Sequence, residues 1–356
     1  MAGTFGVIMA GGFGTRFWPL SRAIRPKQLL PLGGGDVSLL RATRDRISSL
    51  ISAERTLVVT SEALAPAIRA ELPELPPENV LAEPIGRNTA PCVGWAASVV
   101  ARTDPEAVMA VLPADHHIAD DAGYLRVMSR AIEAARGGDM VTIGIRPTRP
   151  ETGYGYVELG EELAPGVNRA RRFVEKPDEL RARQFLAAGR FLWNSGMFFF
   201  RADELLSSVR QHLPGLGDAL KQFDEAARAG TEHELVQRTY SGLPDISIDH
   251  GVMEKAARVA VVPGDFGWSD VGSWTSAWEL APHDEQENAL FGEVVALDTR
   301  GSYVRASAGK VVAVLGLEDI VVVDTEDALL VMPRSRAQDV RAIVNELKSR
   351  KSTKHL

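Results

Sequence analysis

The segment from Phe5 to Gln28, FGVIMAGGFGTRFWPLSRAIRPKQ, limits what this chain can fold into more than any other. Phe5-Gly6-Val7-Ile8-Met9-Ala10 is a short apolar run of the kind that becomes a buried strand. Gly11-Gly12-Phe13-Gly14 follows, then Thr15-Arg16. Glycine lets a backbone turn sharply and approach a ligand with no Cβ in the way, and successive N–H groups in such a loop can converge on an anion. Arg16, Arg22, Arg25 and Lys27 then come in quick succession. A strand, a glycine loop and clustered cations together make a place for a polyphosphate. The loop is not a P-loop, because no Lys-Ser/Thr follows the glycines at the required spacing. Nor is it the dinucleotide fingerprint: Phe17 stands where a third glycine belongs, and Pro19 and Pro26 keep the next residues irregular.

Downstream, the pattern alternates. An amphipathic helix is predicted over 38–51, a strand over 56–60, a helix over 62–72, a strand at Val80-Leu81 and a helix over 90–102 capped by Asn88 or Thr89. A strand over 107–112, a helix over 124–136 and a strand over 140–145 follow. Such alternation argues a layered α/β domain with a mostly parallel sheet. Further on, strands are predicted at 153–157, 172–176, 196–200 and 259–262, and helices at 178–188, 202–212, 216–229, 231–240 and near 248–256. From Phe291 the chain changes to short β-branched runs punctuated by Gly and Asp, which read as consecutive strands with tight turns. They suggest the coils of a small β-helix, although no clean hexapeptide period is visible. A helix over 337–347 closes the chain before a basic tail.

Several polar residues stand at strand ends or beside glycines. Asp115 follows the strand that ends at Pro113, and ligands in open α/β sheets bind outside the carboxyl ends of strands. The adjacent His116 and His117 point in different directions on a strand or turn, which argues against a shared transition metal. Asp270 lies in Trp268-Ser269-Asp270-Val271-Gly272. Two carboxylates from distant segments, together with a polyphosphate, are how Mg²⁺ is usually held. Lys176 ends the run Phe173-Val174-Glu175-Lys176, and the Asn194 amide in Trp193-Asn194-Ser195-Gly196 suits a hydroxyl-rich ligand because it both donates and accepts. Taken singly, each of these could equally be a turn, a cap or a solvated side chain.

The strings GGFGTRFWPLSR…PKQ, EPIGRNTAP, LPADH, ETGYGY, FVEKPD, WNSGMF, SIDHGVMEK and FGWSDVGSW occur in this order along essentially the whole chain. In this the sequence resembles the sugar-1-phosphate nucleotidylyltransferases, in the version carried by the bacterial mannose-1-phosphate guanylyltransferases. Phe17 where Leu is usual, and His250 where Tyr is common, are the departures. The resemblance implies a Rossmann-like, mostly parallel mixed sheet in a nucleotidyltransferase domain over 1–285. It implies a small C-terminal β region, like a left-handed β-helix, with a terminal helix over 286–356. It also implies a GTP-dependent transferase that makes GDP-mannose and pyrophosphate from GTP and α-D-mannose 1-phosphate, with Mg²⁺ as cofactor, as a cytoplasmic homodimer.

Roles follow from the same likeness. Ala10, Gly11, Gly12, Gly14 and Thr15 would cradle the triphosphate, and Arg16 and Lys27 would neutralise the reacting phosphates. Asp115 and Asp270 would hold the metal, and Lys176 would draw in the sugar phosphate. Gly155, Glu175 and Asn194 would contact the sugar, and Glu83, Asn88 and Thr89 the base. Two alternatives stand beside this reading: the same chemistry on another nucleotide or hexose 1-phosphate, and a non-catalytic subunit that senses GDP-mannose.

Composition sets outer bounds. The 356 residues suffice for one large domain and a smaller one. A net charge of −7 argues against a general nucleic-acid binder, so the N-terminal cations are a local feature on an acidic protein. Cys92 is the single cysteine, which rules out an internal disulfide and fits a reducing compartment, with its side chain expected in the core. No basic n-region with a cleavage site opens the chain, and no apolar run is long enough for a transmembrane helix, so neither export nor a membrane is expected.

Overall fold

The computed structural model describes residues 3–12, 14–32 and 34–356; Phe13, within the expected phosphate cradle, lies outside the described residues. The chain divides into two compact units, each assembled from separate stretches. One contains Met1–Gly11, Arg44–Ala114 and Ile118–Trp268; the other contains Gly12–Thr43, Asp115–His117 and Ser269–Leu356.

The first unit is built on a nine-stranded sheet. Its strands are β1 (Thr4–Met9), β2 (Thr56–Ser61), β3 (Val80–Glu83), β4 (Val108–Pro113), β6 (Met140–Ile145), β7 (Tyr156–Ala164), β8 (Val167–Val174), β9 (Phe191–Arg201) and β10 (Val259–Gly264), the two-residue β5 (His117–Ile118) standing outside the sheet. The order is β3-β2-β1-β4-β9-β6-β10-β8-β7. Only β9 and β8 run against the other strands of this sheet. The central strands are buried almost throughout, as VMAVLP of β4 shows, because helices cover both faces of such a sheet. The helix Asp121–Arg136 illustrates the match: Tyr124, Val127, Met128, Ala131, Ile132 and Ala135 recur at helical spacing and are buried, while the Asp120 carboxylate accepts from the Gly123 N–H and caps the first turn. Cys92 is buried in this unit's core, as expected.

Several expected element ends differ from the structure: the strand predicted over 153–157 is Tyr156–Ala164, which leaves Gly155 just before it, the helix over 38–51 is Leu39–Ile47, and the closing helix over 337–347 is Val340–Ser349. The strand predicted to end at Lys176 ends at Val174, and Lys176 lies beyond it with a left-handed backbone, φ 43°. The strand predicted from Gly196 begins at Phe191, so Asn194 sits within β9 rather than in a turn before it. The helix expected near 248–256 is a short π-helix, Asp249–Met253, in which the Glu254 N–H reaches back five residues to the Asp249 carbonyl. The predictor for each was a short apolar run or a periodic stretch, and such signals do not resolve element ends.

The second unit joins the signature loop to the C-terminal region. After β11 (Trp268–Ser269) come β12 (Ala289–Phe291), β13 (Glu293–Leu297), β14 (Tyr303–Arg305), β15 (Val311–Leu315), β16 (Ile320–Asp324) and β17 (Leu329–Pro333), then the helix Val340–Ser349. β12, β14 and β16 pair in parallel, as do β13 and β15. The partners Tyr303 and Val321, Glu293 and Val311, and Arg300 and Glu318 all lie 18 residues apart, whereas Ala289 and Tyr303 lie 14 apart, so successive coils differ in length and the residue pattern shows no fixed period. Val304, Val314 and Val322 fill the coil's interior. A second cluster packs Phe17, Trp18, Leu30 and Leu32 of the signature segment with Val271, Trp274, Tyr303, Val321, Leu330, Val340 and Val344. Phe17 meets Trp274 edge-on at 5.1 Å, and the Trp274 indole N–H donates to the Trp18 carbonyl. The loop's apolar residues thus belong to the core of the C-terminal region.

Candidate active site

In the second unit, Lys27 is the organising side chain. It is 6% exposed, and its Nζ donates to the Asp115 Oδ2 at 2.8 Å and to the Asp270 carbonyl oxygen. Gly14 explains how Lys27 is reached. Its backbone is left-handed, φ 57°, and a Cβ there would fall 2.3 Å from the Lys27 Cβ and 2.9 Å from its nitrogen. Only glycine meets both demands. Arg16, on the turn Thr15–Phe17, donates to the Gly272 carbonyl at 3.1 Å. Lys27 and Arg16 therefore both reach the segment that carries Asp270. Burial raises the Asp115 pKa, but the Lys27 charge, His116 and the Lys27 hydrogen bond outweigh it and hold the carboxyl below its ordinary value. Burial also pushes the His116 imidazole down, towards its neutral form, against the opposing pull of Asp115. Arg22, counted from sequence among the phosphate cations, turns instead to Asp327 at 2.8 Å.

The first unit holds two further clusters. In one, the three residues assigned to the sugar lie around Gly155. The Asn194 N–H donates to the Gly155 carbonyl at 2.8 Å. A Cβ on Gly155 would lie 2.5 Å from the Glu175 Oε2 and 3.3 Å from the Asn194 Cβ. Lys176 Nζ donates to the Glu175 Oε1 at 2.7 Å, with its own side chain 62% exposed. In the other, Glu83 at the end of β3 is 5% exposed and accepts from the Tyr240 hydroxyl at 2.5 Å. Burial pushes its pKa up to about 7, against the lowering effect of that hydrogen bond. The second Glu83 oxygen lies 3.9 Å from where a Cβ on Gly11 would stand. Ala10 is tied to β2: its N–H donates to the Val59 carbonyl and its carbonyl accepts from Thr60 Oγ1. A Cβ on Gly12 would meet nothing within 4 Å, so the protein's own packing does not demand glycine there.

Asn88 caps the helix Thr89–Thr103 with its side chain, from a left-handed backbone of φ 64°. Thr89 Oγ1 accepts from the Ile248 N–H at 2.8 Å, so this hydroxyl already has a partner within the protein. Nothing in the residue pattern singles out Tyr240. Asp249 lies in the string SIDHGVMEK, whose place in the order could have drawn attention to it. Among the described residues, no three His, Cys, Asp or Glu side chains come together in a way that could hold a metal.

These arrangements stand beside a clear kinship. The nucleotidyl transferase family model matches residues 5–287, and the model of the MannoseP isomerase/GMP-like beta-helix domain matches 292–347. The chain belongs to the nucleotidyl transferase family. A mannose-1-phosphate guanylyltransferase of Escherichia coli K12 is 40% identical over 352 residues, covering 96% of this chain and 73% of its own. The xanthan biosynthesis protein XanB of Xanthomonas campestris is 42% identical, covering 98% and 74%. A crystal structure from Thermus thermophilus, described as a mannose-1-phosphate geranyltransferase, superposes with a TM-score of 0.88 at 40% identity, covering 97% of this chain and 99% of that one. Within the family, the sheet order and the β-helix-like C-terminal region described above agree with the fold expected from sequence.

Proposed function

We propose that this family member transfers GMP from GTP to α-D-mannose 1-phosphate, giving GDP-mannose and pyrophosphate. The observation that carries the reading is the Lys27 ammonium beside Gly14, seated on the Asp115 carboxylate and the Asp270 carbonyl. The names of its near-full-length relatives supply the substrate pair. An oxygen of the sugar phosphate attacks the α-phosphorus in line with the departing pyrophosphate. A phosphate monoester is largely ionised at neutral pH, its second pKa being about 6, so no general base is required. The obstacle is repulsion between anions, which positioning and fixed positive charge overcome.

In this reading the backbone from Ala10 to Thr15 cradles the triphosphate. Arg16 and Lys27 offset charge on the α-phosphate and the leaving group. Asp115 and Asp270 are the residues that would hold Mg²⁺: two carboxyl groups offer the hard oxygen ligands this ion prefers, with room left for phosphate and water oxygens. Bound there, the ion would neutralise charge on the reacting phosphates. Lys176 attracts the sugar phosphate, Gly155, Glu175 and Asn194 meet the sugar, and Glu83, Asn88 and Thr89 face the base. An ionised Glu83 can accept from the two donors on guanine's Watson–Crick edge.

The same reading assigns catalysis to residues 1–285, with 286–356 as an appended β region. It takes the enzyme to be a cytoplasmic homodimer. Exposed apolar side chains on β13 and β15, with Leu297, Val311 and Leu315 each more than half exposed, support a subunit contact there. The decisive experiment is pyrophosphate release with Mg²⁺, crossing GTP, ATP, UTP and dTTP against mannose 1-phosphate and glucose 1-phosphate. A dominant GTP–mannose 1-phosphate signal is expected. A dominant signal elsewhere in the grid overturns the base or sugar assignments, and no signal from folded protein overturns the activity.

A further inference from the structure

Asn194 is held by more than its own strand. Its Oδ1 accepts from the Thr142 hydroxyl at 2.8 Å and from the Gly196 N–H at 3.3 Å. The Gly196 N–H can only donate and the Asp249 carboxylate only accept, and together they fix which end of the amide is oxygen; the Thr142 hydroxyl also lies 3.1 Å from the Met197 carbonyl. The Asn194 Nδ2 then donates one hydrogen to the Asp249 Oδ1 at 2.9 Å, and an amide so engaged has one N–H left to give. Asp249 opens the π-helix Asp249–Met253, a rare geometry that in other proteins often accompanies function. The segment before it is pinned, since the Ile248 N–H donates to Thr89 Oγ1 and the Ala90 N–H donates to the Ile246 carbonyl. Inside the turn, a Cβ on Gly251 would lie 2.9 Å from the Leu213 Cδ1, so the coil is pressed against its neighbour.

We propose that Asp249 is a positioning residue for the sugar: it holds the Asn194 amide so that its remaining N–H, beside the Glu175 carboxylate, meets a hydroxyl of the hexose. A sugar hydroxyl both donates and accepts, so an amide N–H next to a carboxylate satisfies both halves of it. The inference rests on the sugar assignment made above. It differs from that assignment in naming a residue that acts through Asn194.

The charged surroundings of Asp249 give the idea a second readout. Glu175 and Lys176 face it from the loop after β8, and β9 contributes the neutral Asn194. On its own segment, Glu254 accepts from the Glu175 N–H, and His250 turns to the Ser247 hydroxyl. Burial and the nearby Glu175 charge push the Asp249 carboxyl up to about 6. Below that pH it becomes a weaker acceptor for Asn194.

The test compares Asp249→Ala and Asp249→Asn with Asn194→Ala and Glu175→Ala in steady-state kinetics on the full chain, with thermal melts to check folding. Asp249→Ala should raise KM for mannose 1-phosphate about ten- to hundredfold, the usual effect of stranding one buried polar partner, and leave KM for GTP within about twofold. Asp249→Asn, which can still offer an oxygen to Nδ2, should recover most of that loss. It should also flatten the rise in KM expected of wild type as pH falls through about 6; the sugar phosphate itself titrates near there in both proteins, so the difference between them is the signal. If Asn194→Ala and Glu175→Ala raise the sugar KM while Asp249→Ala does not, or if the Asp249→Asn pH profile superimposes on wild type, the inference fails alone. If none of the variants affects the sugar KM, the sugar assignment itself fails.

Discussion

Gly14 and Gly155 each lie against a side chain assigned to chemistry, but a methyl group would meet different things at the two positions. At Gly14 it would meet the Cβ and backbone of Lys27, from a left-handed backbone. At Gly155 it would meet chiefly the tip of the Glu175 side chain, at 2.5 Å, with the Asn194 Cβ at 3.3 Å. The contrast extends to their surroundings. The cluster assigned to the phosphates, in the second unit, joins Lys27, Asp115 and Asp270 from three distant stretches, locked by the ion pair of a buried lysine. The cluster assigned to the sugar, in the first unit, is laid out along adjacent strands and the loop beyond them, and its Asn194 amide is held by hydrogen bonds with movable side chains. The former is rigid at the backbone, the latter adjustable at the side-chain tips, so equal substitutions should have unequal consequences.

The largest effect should come from Lys27→Ala, which should cut kcat/KM by about 10²–10³, the usual scale for one lost electrostatic contact. Near-normal turnover would remove Lys27 from the phosphate chemistry. Stability should fall too, but by less than the ~3–5 kcal/mol typical of breaking a fully buried pair, because the Asp115 side chain left behind is 35% exposed. Next, Gly14→Ala should lower the melting temperature clearly, with backbone strain alone costing roughly 1–3 kcal/mol. Gly155→Ala should melt within a few degrees of wild type, yet raise KM for the sugar phosphate as Glu175 is displaced. Equal melting temperatures for the two variants would break the comparison.

A third prediction concerns Glu83, whose folded pKa is raised from 4.5 to about 7. Between those values the folded protein holds a proton that the unfolded chain releases, so this group's contribution is full below about 4.5 and is lost as pH rises through 7. Glu83→Gln, which still accepts from Tyr240, should therefore stabilise the protein at pH 8 by up to roughly 3 kcal/mol relative to pH 4. Urea midpoints at the two pH values measure it, and a gain that is the same at both would show that Glu83 is not held protonated by the fold. The smallest effect belongs to Asp327→Asn. The Arg22–Asp327 pair has 15% and 44% exposed side chains, so losing it should cost less than about 1 kcal/mol and leave turnover unchanged. A large loss of activity would return Arg22 to the phosphate site.

The helices and central strands were legible because their periodicity or apolar runs are long: VMAVLP, the pattern from Tyr124 to Ala135, and Asn88 before a helix all became what they suggest. The glycine loop, Lys27, Asp115 and Asp270 were legible as residue types joined by a family likeness. The π-helix at Asp249, the left-handed Lys176 and the unequal coils were not. Each of these depends on what packs beside it. Leu213 presses on the π-helix, and coil interiors accept Val, Ala or Leu without a strict motif. Glu83 and Tyr240 lie far apart along the chain, and no local pattern announces that one will cap the other inside the core.

By itself, then, the sequence determined the order and kind of most elements, the presence of a glycine loop followed by clustered cations and the inventory of charged groups, because these follow from local periodicity, glycine chemistry and side-chain type. Tertiary structure alone decided which charges are spent on each other. It turned Arg22 to Asp327, placed Lys27 on Asp115, fixed the Asn194 amide through Thr142 and Asp249, and buried Glu83 against Tyr240. The physical reason is that desolvation and hydrogen-bond geometry depend on neighbours brought from far along the chain, and those neighbours set both where a side chain points and whether it carries a proton.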